Sequence, residues 1–302
     1  MRLRPFALAA TTVLVLALTA GPAIAGQLPV IYNGVLGLAH ASPTASPPGA
    51  NNWSCKPSTA HPRPVILVHG TFEDMSNNWQ ALSPLLYNHG YCVFALNYGS
   101  SNGSGAVGVY GTGDIPTSAN ELAAFVARVR GATGARQVDM VGHSQGAMMP
   151  RYYLKFLGGA STVHSLIGLA PSNHGTTVNG LFTLAGAIPG ATSFFGLCTA
   201  CGQQAQGSSF LQSLNGGGDT VAGVSYTVIE SRNDEVVTPY TSAFLTGPDV
   251  TNITLQDQCA LDQGEHLSMG YDHIADADVL SALDPDHPQS PACTPVAPVS
   301  GG

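Results

Sequence analysis

The sequence predicts an α/β fold, a mostly parallel central sheet of about six strands with helices on both faces. Two observations carry that prediction. From Pro64 onward, short apolar runs alternate with segments of helical periodicity, the order that parallel strands joined by crossover helices require. Most of the apolar runs also lack polar alternation, as expected of strands covered on both faces. The expected strands are Val65–Val68, Tyr91–Asn97, Gln137–Val141, Ser165–Leu169, Tyr226–Glu230 and Thr251–Leu255. Helices are expected over Asn78–Asn88, Ser118–Arg130, Gln145–Leu157 and within His273–Leu283. The first stops at His89-Gly90, an ordinary C-terminal signal. In the second, Leu122, Phe125, Val126 and Val129 repeat at i, i+3, i+4 and i+7, one core-facing stripe. Residues 64–302 show no internal repeat and read as a single domain.

Ahead of that domain lie two other segments. Arg2 and Arg4, the apolar stretch Phe6–Ala20 and the small residues Ala23-Ile24-Ala25 have the layout of a signal peptide over residues 1–25. A noncleaved anchor is the alternative, but the stretch is short and Ala/Thr-rich for a permanent span. Residues 26–63 are rich in Pro, Ser, Ala and Asn and read as an extended arm pinned at Cys55. Six cysteines, all in the exported part, argue for disulfides in a secreted, extracellular protein. Pairing neighbours in order gives Cys55–Cys92, Cys198–Cys201 and Cys259–Cys293. The Cys198-Thr-Ala-Cys201 spacing also suits a redox pair or half a zinc site. With no second such pair and no helix pattern after it, a small structural loop is the better reading.

Charge excludes several partners. Without Arg2 and Arg4, the 10 Lys and Arg become 8 against 18 Asp and Glu, so the net charge moves from −8 to −10. Such a chain is a poor fit to nucleic acid or anionic membranes. Residues 156–218 contain no charged side chain at all. Within them, the segment around 176–218 reads either as a buried excursion or as an uncharged apolar rim that meets a hydrophobic substrate. On the second reading Phe72, Leu181, Phe182, Ile188, Phe194 and Phe195 face the substrate.

The motif Gly142-His143-Ser144-Gln145-Gly146 closes an apolar strand and opens a helix. That is the setting of a strained turn that exposes a nucleophilic serine, Ser144, with glycines where side chains would clash. A serine hydroxyl needs a base, an orienting acid and oxyanion donors. Asp234 lies just past the strand ending at Glu230, and Glu235 and Asp257 are the alternatives for the acid. For the base, His266, His273 and His287 lie beyond the acid. His266 ends the loop after the last strand, whereas His273 belongs to the next helix and His287 to the tail. His174 is out of order, in a segment that lines the site, and His143 reads as a packing residue. The backbone N–H of Gln145 is one expected oxyanion donor. The other is that of Thr71, which follows Val65-Ile66-Leu67-Val68-His69-Gly70, and the Thr71 hydroxyl could add a third bond.

These residues carry a resemblance. His69-Gly70-Thr71, Asn78-Trp79, Gly90–Gly99, Gly142–Gly146, Leu169–Thr176, Asp234–Pro239 and Glu265-His266-Leu267 occur in the order of the secreted bacterial lipase class 2 family. The chain resembles that family and, more distantly, the yeast lipase B type, both of the α/β-hydrolase fold. The resemblance implies a triad of Ser144, Asp234 and His266, donors at Thr71 and Gln145, and hydrolysis of acyl glycerols without a cofactor. The expected partner is a lipid or other hydrophobic ester at an interface, met by a monomer that does not insert in membranes. A carboxylesterase or polyesterase, an acyltransferase, or a catalytically silent binding protein on the same fold are the alternatives. No metal is expected: Asp272, Asp276, Asp278, Asp284 and Asp286 lack a calcium-loop spacing and read as a solvated helix face.

Overall fold

The computed structural model describes residues 26–302, so the expected signal peptide lies outside the described residues. Its centre is a single six-stranded parallel sheet in the order β2-β1-β3-β4-β5-β6. The strands are β1 (Val65–Val68), β2 (Val93–Leu96), β3 (Val138–His143), β4 (Val163–Leu169), β5 (Ser225–Glu230) and β6 (Val250–Thr254). Among the described residues ten α-helices accompany them: α1 (Gly34–His40), α2 (Met75–Asn78), α3 (Leu82–Asn88), α4 (Ile115–Thr133), α5 (Gln145–Phe156), α6 (Val178–Ala187), α7 (Thr199–Gln204), α8 (Ser209–Asn215), α9 (Leu255–Gln258) and α10 (His273–Leu283).

The pleat explains the two cores. Along β1, Ile66 and Val68 point to one face, where Leu122, Val126 and Val129 of α4 and Met148 and Leu154 of α5 cover them. Val65 and Leu67 point to the other, under Leu82 and Leu86 of α3 and Ile274, Val279 and Leu280 of α10. The expected stripe of α4 is buried at Leu122, Val126 and Val129, and Phe125 packs at its margin.

Several expected boundaries change, each for a tertiary reason. The helix foreseen over Asn78–Asn88 is two pieces, because the chain turns at the fully buried Trp79 and restarts at Leu82. Residues 26–63 are not extended throughout. Asn33 caps α1 by accepting from the Leu36 N–H, and Gly34 and Gly37 let that helix lie against Tyr271. A Cβ at Gly37 would come within 2.4 Å of the Tyr271 ring. All three disulfides pair as expected, but Cys198 and Cys201 sit on α7, for which Cys198 is the N-cap, rather than in a plain loop.

The reading of the C-terminal acids as a solvated face is overturned. Asp272, Asp276 and Asp278 are buried, while Asp286 is exposed. The chain beyond α10 folds back over its outer side. The Cys259–Cys293 disulfide, a bridge between Asp262 and Val296 and the bond from the Gly302 N–H to the Tyr271 carbonyl hold it there. Asp272 caps α10 by accepting from the N–H groups of Ile274 and Ala275. Burial and the neighbouring Asp262 push its carboxyl up to about 7, and burial pushes Asp278 up to about 6. Burial, with Asp272 alongside, also holds Asp276 well above the usual range.

These raised values set the pH dependence of stability. A carboxyl protonated more readily in the folded than in the unfolded chain contributes stability below the ordinary carboxylate range. That contribution is lost as pH rises toward about 7 for Asp272. An Asp272→Asn variant keeps an acceptor for the helix cap and removes the titration. Thermal melts are therefore expected to show a Tm higher by roughly 2–4 °C at about pH 8, and a smaller fall in Tm between about pH 5 and about pH 8.

Candidate active site

Because all six strands are parallel, their carboxyl ends lie on one edge of the sheet, and each predicted site residue follows one of those ends. Thr71 follows β1, Ser144 follows β3, Asp234 follows β5, and His266 comes after β6 and α9.

Ser144 sits at the top of a sharp turn with φ 55° and ψ −123°. Its N–H donates to the Leu169 carbonyl of β4, and its own carbonyl accepts from Ala147 and Met148. The unusual φ is maintained by packing that leaves no alternative. A Cβ at Gly142 would lie 2.1 Å from the Gly146 carbonyl oxygen, and one at Gly146 would lie 2.1 Å from that of Val68. The two glycines of the motif are therefore where backbone meets backbone.

Asp234 and His266 are joined by a bond of 2.8 Å between Oδ2 and Nδ1, both side chains fully buried. The other oxygen of Asp234 accepts 2.7 Å bonds from the N–H groups of Val236 and Val237. Those donors orient the carboxylate, and the carboxylate selects the Nδ1–H tautomer of His266. Nε2 of His266 is buried and has no hydrogen-bond partner among the described residues. Glu230, at the end of β5, keeps its carboxyl well above the usual range because it is buried beside Asp234. Of the alternative acids, Glu235 is exposed, and Asp257 pairs with Arg232 at the surface.

The backbone N–H groups of Thr71 and Gln145 donate to no protein group among the described residues. Both belong to buried residues, so two unused donors stand beside the elbow. The side chains beneath them are engaged. The Thr71 hydroxyl donates to Gln145 Oε1 at 2.7 Å, so it is not free to add a third oxyanion bond. Gln204 donates to both Thr71 Oγ1 and Gln145 Oε1 at 2.8 Å, and Ser172 donates to Gln204 Oε1. Gln204 lies on α7, in the uncharged segment, and no local pattern marks it. Only the tertiary fold brings it to residues 59 and 133 positions away.

The remaining histidines separate cleanly. His174 spans Ser242 and Asp219, His273 opens α10 and bonds to chain-terminal carbonyls, and His287 is exposed beside Asp284. His143 is more than a packing residue: its Nδ1 meets Glu73 Oε2 at 2.8 Å, and its Nε2 meets the His266 carbonyl at 2.9 Å. Of the six apolar residues expected to face substrate, Phe72 and Leu181 are buried, Ile188, Phe194 and Phe195 half-buried, and Phe182 exposed. Phe182 stacks on Phe195 at 4.0 Å between centroids, and Phe195 lies 6.4 Å from Phe72. An aromatic row thus runs from the surface to the residue after Thr71. The C-x-x-C disulfide is closed, which leaves no thiol there for redox or metal chemistry.

Gly146→Ala tests the elbow directly. The methyl would collide with the Val68 and His69 carbonyls, which cannot retreat without parting β1 from β3. Denaturant melts should show a loss of about 3 kcal/mol or more, whereas Gly186→Ala, with open space around it, should stay within about 0.5 kcal/mol.

Known proteins are similar to this chain. The family model for lipase (class 2) matches residues 62–276. Triacylglycerol lipases of Pseudarthrobacter phenanthrenivorans and Burkholderia plantarii are each 35% identical over 95 residues, 30% of this chain. The match spans only about a quarter of those relatives, 27% and 24% of their lengths. Aspergillus fumigatus lipase B superposes with a TM-score of 0.59 at 22% identity, covering 81% of this chain and 56% of that one. The propeptide form of the Bacillus licheniformis lipase BlEst2 gives a TM-score of 0.50 at 16% identity, covering 84% and 54%. At such identities the two structures speak for the fold, which is that of the α/β hydrolases. With the family match extending over most of the chain, from ahead of β1 into α10, this protein belongs to the class 2 lipase family.

Proposed function

We propose that this protein is a secreted serine ester hydrolase, acting as a triacylglycerol lipase on fatty acyl esters. Two observations carry the proposal together: Ser144 stands on a strained turn, and His266 has its Nδ1 held by Asp234 and its buried Nε2 without a partner among the described residues. In the reaction, Nε2 takes the Ser144 proton as Oγ attacks the ester carbonyl. The oxyanion that forms is held by the idle N–H groups of Thr71 and Gln145. His266 then gives its proton to the departing alcohol, and a water attacks the acyl-enzyme by the same route in reverse. Asp234 stabilises the imidazolium in both halves.

The substrate class follows from the rim. The exposed Phe182 and the half-buried Ile188, Phe194 and Phe195, backed by the buried Phe72 and Leu181, offer apolar surface and no charge along the segment around 176–218, which we assign as the cap of a single domain over residues 64–302. Such a surface favours long acyl chains presented at an interface over small charged esters. The three disulfides fit an oxidising compartment, in keeping with export by a cleaved segment over residues 1–25. No described helix is long and apolar enough to cross a membrane.

Turnover of p-nitrophenyl esters is the test. Ser144→Ala should lower kcat by at least ~10⁴-fold and abolish labelling by a fluorophosphonate. Wild-type turnover in that variant rules the mechanism out. Palmitate esters above their solubility limit should be cleaved faster than soluble butyrate esters, and the opposite order would point to a carboxylesterase.

A further inference from the structure

Glu73 and His143 make a buried pair that the reaction scheme does not use. Glu73 lies three residues past Gly70 in the loop after β1, and His143 is the last residue of β3, directly before Ser144. One oxygen of Glu73, Oε2, accepts both the Gly70 N–H and His143 Nδ1, each at 2.8 Å. On its far side the His143 ring meets the main-chain carbonyl of His266 through Nε2 at 2.9 Å. The rings of His143 and His266 lie 4.8 Å apart.

These partners dictate the proton count. A carbonyl oxygen carries no proton, so Nε2 must donate to it. Facing the other ring nitrogen is a carboxylate, so Nδ1 donates as well, and a ring donating from both nitrogens is an imidazolium. The neighbours agree. Burial opposes charge on His143, but Glu73 and, at longer range, Asp234 raise its pKa above the usual histidine value. His143 in turn holds Glu73 low against its burial. His69, the nearby ring on β1's side, is lowered to about 4 by burial and stays neutral. Asn78 lies 3.2 Å from Nδ1, and turning its amide over brings its otherwise unpartnered oxygen to the Nδ1 proton.

We propose that Glu73 and His143 are positioning residues that lock the oxyanion loop and the base loop to the two sides of the nucleophile elbow. The inference rests on the proposed roles of Thr71, Ser144 and His266. Through Glu73 the pair fixes the Gly70 N–H, one residue before the Thr71 donor. Through Nε2 it fixes the main-chain carbonyl of His266, the residue proposed as the base. A neutral His143 has one proton and can hold only one of these two sides. Gly70 itself is spaced for the device, since a Cβ there would lie 2.5 Å from Glu73 Oε2 and 3.1 Å from Ser144 Cβ.

Glu73→Gln is the test, assayed on p-nitrophenyl butyrate across pH. The amide can still accept from Gly70 but no longer favours the imidazolium. We expect kcat to fall by ~10–100-fold near neutral pH with KM within about twofold, because orientation rather than binding is lost. The alkaline limb of the kcat profile should also move to lower pH, a shift that a merely structural role would not produce. Wild-type kcat with an unmoved alkaline limb overturns the proposal. Should the variant not fold, ¹⁵N NMR of histidine-labelled wild-type protein decides, with a His143→Gln spectrum for assignment. Both nitrogens of His143 protonated at about pH 8 supports the pair, and a neutral ring there overturns it. An active Ser144→Ala instead brings down the underlying mechanism, whereas an inactive Ser144→Ala beside an unimpaired Glu73→Gln brings down this inference alone.

Discussion

The rest of the structure depends on a contact that contains no side chain. At Gly146 the first turn of α5 presses against the carbonyls of Val68 and His69, and at Gly142 the end of β3 presses back against that same turn. Only two bare α-carbons permit this, and the close approach is what forces Ser144 into its left-handed backbone conformation. It also sets α5 so that the Gln145 N–H points out of the helix start beside Thr71. The elbow is thus a steric solution first and a chemical one second. Its strain is distributed over β1, β3, β4 and α5, which all contribute hydrogen bonds or contacts to it.

Around that contact, buried side chains are joined in two separate hydrogen-bonded networks. Thr71, Gln145, Gln204 and Ser172 form one, beneath the idle backbone donors. Glu73, His143 and the His266 carbonyl form the other, behind Ser144. Fully bonded buried polar groups hold their positions far more rigidly than apolar packing would, at the expense of being intolerant to loss of any member. Such rigidity is what a site needs when its donors must already be aimed where negative charge will develop. Among the groups left without partners are Nε2 of His266 and the N–H groups of Thr71 and Gln145, alongside Gln145 Nε2, Glu230 Oε2 and His69 Nε2.

Away from the site, the same accounting reads differently. Asp262, Asp272 and Asp276 present unpartnered carboxylate oxygens inside the C-terminal wrap, and their raised pKa values are how the fold accommodates them. On the opposite flank the charge-free segment is neither wholly buried nor wholly a rim. Leu181, Leu184 and Ala185 of α6 enter the core, while Val178 and Phe182 of the same helix remain exposed.

Sequence by itself determined the sheet, because it is written in local patterns. Apolar runs bounded by glycine and proline give strands wherever they are buried, β1 begins and ends at the expected residues, and α10 fills the stretch within which a helix was expected. Gly142-x-Ser144-x-Gly146 is legible because its chemistry and its sterics are confined to five consecutive residues. Asp234 and His266 were legible only as strand-end residues in the right order, and their 2.8 Å bond needed the fold. What only the tertiary structure decided is everything that depends on partners far along the chain. Gln204 beneath the Thr71 and Gln145 N–H groups, Glu73 against His143, and the break at Trp79 have no local signature. The acids of α10 were misjudged for the same reason. A helix shows its own periodicity, but whether its polar side meets water or a returning tail is settled by chain that lies elsewhere.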